Sequence, residues 1–80
     1  MKVEFKVAAA FGRYFPGASA YAQDTPCEIA AAATVADLLD SLSFPLEMAM
    51  NIFVNGRLAQ RHTLLDEGDR VFIKPTTAGG

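Results

Sequence analysis

The 80-residue sequence predicts an α+β domain, with a mixed sheet of four to five strands and one main helix packed on one face. Three observations carry this expectation. Runs that alternate apolar and polar residues stand near both ends of the chain, one central segment has apolar residues at helical spacing, and an Asn-Gly pair marks a tight hairpin between two short runs.

Residues 2–8 set Val3, Phe5 and Val7 against Lys2, Glu4 and Lys6, the pattern of a half-buried strand. Residues 9–26 hold Gly12, Pro16, Gly17 and Pro26 among small and aromatic residues and read as a long connection. Arg13, Tyr14, Phe15 and Tyr21 would gather into a small aromatic cluster beneath it. A second strand is expected at residues 27–32, with Cys27, Ile29 and Ala31 on one face.

Thr34 and Asp37 have the spacing of a capping box, so a helix starts there. Val35, Leu38, Leu39 and Leu42 form its apolar stripe, opposite Asp37, Asp40 and Ser41, and Pro45 keeps it short. Met50, Ile52 and Val54 alternate with Asn51 and Phe53 in a third strand, which Asn55-Gly56 turns back into a short strand at residues 57–60. After Leu64-Leu65, the turn Asp66-Glu67-Gly68-Asp69 leads into the last strand, residues 70–74, with Val71 and Ile73 on one face. Pro75 cannot donate to a sheet ladder and is expected to release the chain into a tail. Residues 1–75 then form the domain and residues 76–80 a flexible tail ending in Gly-Gly. The first and last strands are expected to be central and parallel, with the helix in the crossover.

Composition narrows the function classes. With 51% apolar and 20% charged residues the chain reads as globular, and no stretch approaches the roughly 18 apolar residues of a membrane span. Charge interrupts the first strand at every second residue, so it lacks the apolar block of a signal peptide and a cytoplasmic location is expected. Seven basic and nine acidic residues, net −2, form no basic stripe for nucleic acid. One cysteine and one histidine exclude an internal disulfide and any metal site built from His and Cys. Cys27, beside Ile29, reads as a buried and unreactive thiol, and His62 as a solvated loop residue. Asp66, Glu67 and Asp69 lack the ligand count of a calcium loop and read as turn residues. Arg57, Arg61, Arg70 and Lys74 would meet acidic groups on a partner or simply solvate the strand faces.

Two features point to function. A Gly-Gly ending occurs by chance in about one chain in 200, and with no side chain such an arm can be threaded into a narrow active site. A frayed terminus is the alternative. Phe53 and Phe72 fall between core-facing neighbours, so both rings are sent to the outer face of the sheet, adjacent if the third and last strands pair. Such an apolar patch beside the tail reads as a docking surface, unless residues 9–26 fold over it.

Taken together, Val54-Asn55-Gly56-Arg57, Leu65-Asp66-Glu67-Gly68-Asp69-Arg70-Val71, the helix start at Thr34-Val35 with Leu38, Leu39 and Leu42, and the final Gly79-Gly80 are similar to the ubiquitin-like β-grasp sulfur carriers of the MoaD and ThiS family. The resemblance spans residues 34–80. It implies a β-grasp fold and a non-enzymatic carrier without catalytic side chains, metal or bound cofactor. Gly80 would be adenylated by a ubiquitin-activating-type partner that consumes ATP, and a sulfur donor would convert it to a thiocarboxylate. Gly79 and Ala78 would give the tail access, while Phe53, Phe72 and Lys74 would face the partner. The chain length and long segment after the first strand lean toward the small subunit of molybdopterin synthase, whose tail enters a large synthase subunit. The alternatives are a thiamine-pathway carrier, a ubiquitin-like protein modifier and a non-catalytic interaction module. Thr76-Thr77 replaces part of a proline pair common in the family, which leaves the stiffness of the arm open.

Overall fold

A computed structural model of the chain describes residues 1–10, 20–44 and 50–76. Its elements are β1 (Lys2–Val7), β2 (Thr25–Glu28), α1 (Val35–Ser41), β3 (Met50–Val54), β4 (Arg57–Ala59) and β5 (Arg70–Pro75). The five strands form one sheet in the order β2-β1-β5-β3-β4. β1 and β5 run parallel and every other pair is antiparallel, so the expected central parallel pair is present.

One face of this sheet carries the core. Val3, Phe5 and Val7 from β1, Ile52 from β3, and Val71 and Ile73 from β5 pack with Val35, Leu38 and Leu39 of α1, joined by Phe44 and Leu65. Phe5 meets Tyr21 and Phe44 edge-on, with ring centroids 5.2 and 6.1 Å apart. Tyr21 is the one member of the expected aromatic cluster among the described residues; Arg13, Tyr14 and Phe15 lie outside them.

The helix is only seven residues long, too short to hold itself, and both ends are satisfied. The capping box is present: the Thr34 N–H donates to the Asp37 carboxylate (2.9 Å) and the Asp37 N–H to Thr34 Oγ1 (3.2 Å). The remaining two free donors go to the chain between β4 and β5, Val35 N–H to the Thr63 carbonyl (3.0 Å) and Ala36 N–H to that of Arg61 (2.8 Å). At the other end Ser43 adopts a left-handed conformation, φ 56°. Its N–H reaches the Asp40 carbonyl (3.0 Å) and the Phe44 N–H that of Leu39 (2.9 Å), a Schellman motif that stops the helix before Pro45 is reached.

Four strands have boundaries that differ from expectation, of which β1 only ends one residue early, at Val7. β2 occupies Thr25–Glu28 instead of residues 27–32. Pro26 lies inside it, opposite Glu4, and is tolerated because β2 is an edge strand. Ala31 and Ala32 are in a turn, with Ala32 at φ 63°. At the far end Pro75 does not release the chain but stays in β5 opposite Met50. The parallel pairing with β1 ends at Ile73, so Pro75 has a strand neighbour on one side only and its missing N–H is no obstacle. The returning strand β4 stops at Ala59, one residue short.

Candidate functional site: the outer sheet face and the tail root

The sheet face turned away from the helix is ordered by cross-strand register. Phe53 of β3 stands opposite Phe72 of β5, as their alternation required, with ring centroids 6.3 Å apart and planes tilted by 34°. Both rings are half-buried. Lys6 of β1 is paired with Phe72, and its ammonium lies 5.8 Å from that ring centroid; Lys74 Nζ lies 5.5 Å from the centroid of Phe53. Both distances are within cation–π range.

Leu58 of β4 stands opposite Phe53 and is 71% exposed. It extends the apolar row to the sheet edge, and it was not singled out from the sequence. The signal was there: a two-residue turn at Asn55-Gly56 pairs 54 with 57, and therefore 53 with 58. Arg57, opposite Val54, belongs to the other face, so the arginines and Lys74 do not form one cluster. Arg70 does lie at the ring face, 3.5 Å from the Asp24 carboxylate, both side chains being well exposed.

A side-chain clasp holds the strands that carry the rings. Asn55 and Gly56 both have positive φ, 53° and 81°, the geometry of the tight hairpin turn. The Asn55 amide donates to Asp69 Oδ1 (2.9 Å) while its carbonyl oxygen accepts from the Arg70 N–H (3.0 Å). Asp69 Oδ2 accepts from the Asp66 N–H (2.8 Å), closing the second turn, in which Gly68 has φ 83°. Glu67 accepts from the Lys2 N–H (3.2 Å). The Glu67 and Asp69 carboxylates are thus occupied by backbone and amide donors, and among the described residues no group of three or more His, Cys, Asp or Glu side chains could hold a metal ion.

Lys74 and Pro75 end β5, with Lys74 over the Phe53 ring. Ala78, Gly79 and Gly80 lie outside the described residues. His62 is exposed in the chain between β4 and β5. Cys27 is half-buried instead of buried; its thiol donates to the Thr25 carbonyl (3.5 Å), and burial pushes its pKa above the ordinary 9.0. No helix among the described residues is long and apolar enough to cross a membrane.

A family model described as the ThiS family matches residues 13–80. Among solved structures, small archaeal modifier protein 1 of Haloferax volcanii superposes with a TM-score of 0.72 at 21% identity, over 95% of this chain and 98% of that one. A molybdopterin converting factor subunit 1 from Pyrococcus furiosus superposes at 0.71 and 26% identity, over 96% and 99%. A chain of the Amycolatopsis orientalis BexX/CysO complex does so at 0.62 and 19%, over 98% and 99%. No curated protein matches the sequence. The sheet order, the helix on one face and a family match over most of the length agree: the chain belongs to the ThiS family, with the ubiquitin-like β-grasp fold.

Proposed function

We propose that this chain is a sulfur carrier whose working group is the carboxylate of Gly80. The observation that carries the reading is that the family match runs through Gly80, in the residues that follow the central strand β5, whose outer side is an aromatic and cationic face. A carboxylate is a poor electrophile. Attack of its oxygen on the α-phosphorus of ATP in the partner's active site expels pyrophosphate and leaves an acyl-adenylate; a sulfur nucleophile then displaces AMP. ATP and the catalytic groups belong to the adenylating partner, and the chain contributes the terminus, the arm (Ala78, Gly79) and the docking residues Phe53, Phe72 and Lys74.

The carried sulfur is assigned to molybdopterin synthesis, a reading supported by the likeness to the Pyrococcus furiosus protein, with tail insertion into a large synthase subunit. A thiamine-type carrier is the alternative. Pyrophosphate exchange tests the activation step. The host's ubiquitin-activating-type enzyme should exchange labelled pyrophosphate into ATP when this chain is added, and should stop doing so when Gly80 is deleted. Exchange that ignores the deletion would exclude Gly80 as the working residue. Conjugates of this chain on other proteins would reassign it as a modifier.

A further inference from the structure

The outer face carries more than an aromatic pair. Register places four side chains in one row across four strands: Lys6 (β1), Phe72 (β5), Phe53 (β3) and Leu58 (β4). Lys74 sits diagonal to Phe53, toward the C-terminal end of β5. The row therefore has a cation at the β1 end and bare leucine at the β4 edge, and a second cation flanks it near the end of β5.

We infer that the activating partner meets this row with an apolar strip bordered by carboxylates, one for Lys6 and one for Lys74, and that these two charge contacts set the rotation at which the tail is presented. The inference rests on the reading of the chain as an adenylated carrier. It follows from what covering the rings would do. Each ammonium lies over a ring face, at 5.8 and 5.5 Å, so a surface that excludes water from the rings also strips water from the ammonium groups. A cation desolvated without a partner is costly, and a matching carboxylate removes that cost.

Neither ammonium has an ion-pair partner within the described residues. Of the nearby acidic groups, Asp24 is taken by an ion pair with Arg70, and Glu4 stands opposite Arg70 in the strand register. The whole chain has a net charge of −2, so the cations at this row are a local feature and not the general tone of the surface. A second copy of the chain is a poor occupant, since it would bring the same two cations against these.

The test measures KM and kcat of the host's adenylating enzyme for this chain by pyrophosphate exchange, at increasing sodium chloride. Leu58→Asp and the double variant Lys6→Glu/Lys74→Glu should each raise KM about tenfold with little change in kcat. The wild-type KM should rise with salt, and the double variant should lose that dependence, because bordering charges act through screened encounter. Unchanged thermal midpoints establish that the variants fold. If the wild type is exchanged normally but KM is indifferent to salt and to both charge reversals, the carboxylate-bordered partner is wrong while the carrier reading stands. A concentration-dependent dimer that Leu58→Asp dissolves would assign the row to self-association and overturn the inference.

Discussion

Ser43 sits in an environment that its sequence neighbours do not announce, whereas Cys27 was readable as an unreactive thiol and is half-buried instead of buried. The Cys27 thiol is half-buried and its pKa is raised by desolvation, so it stays protonated at neutral pH. Its alkylation by iodoacetamide should be slower than that of a free thiol from pH 7 to 9. The unfolded chain ionises first as pH rises, so the thiol's contribution to stability is full below about pH 9 and falls above it. Equal alkylation rates for the folded and unfolded chain would refute the protected thiol. Ser43 holds a positive φ at the helix end where glycine is the usual occupant. Ser43→Gly should therefore stabilise the domain by about 1 kcal/mol, read from urea unfolding, and a loss of stability would show that the serine is not strained there. The sequence announced Phe53 and Phe72 through alternation alone. It did not announce Ser43, whose conformation depends on where the helix stops.

Between β3 and β5 the decisive element is the clasp from Asn55 to Asp69 and Arg70. It joins two turns that are 14 residues apart and holds Phe53 in register with Phe72. Asp69→Ala removes acceptors from both turns and should cost about 1–2 kcal/mol, with a lower urea midpoint and an unchanged m-value. An unaltered midpoint would mean that the backbone alone fixes the register. Each turn was legible as a turn from its glycine, whereas their connection was not, because side-chain bonds across that separation leave no periodic trace. The helix shows the same division. Thr34 and Asp37 revealed its start, but the carbonyls of Arg61 and Thr63 that cap Val35 and Ala36 come from the far side of the β3–β4 hairpin.

At the scale of the molecule, the α+β class and the parallel β1–β5 pair were readable because both strands alternate cleanly and the helix, between β2 and β3, supplies the crossover. The second strand was misplaced by two residues at its start because Pro26 reads as a breaker, a rule that edge strands escape. The same rule misjudged Pro75, where the sheet narrows to one neighbour. The fold thus holds a row of rings on the outer face of β3 and β5, and the proposed chemistry is assigned to Gly80, in the residues that follow β5. Intact-mass spectrometry of the chain after incubation with the host's adenylating enzyme, ATP and a sulfur donor tests this most directly. The expected result is a mass gain equal to replacing one oxygen by one sulfur, located at Gly80 and absent when Gly80 is deleted. An unchanged mass in the presence of an active enzyme and donor would contradict it.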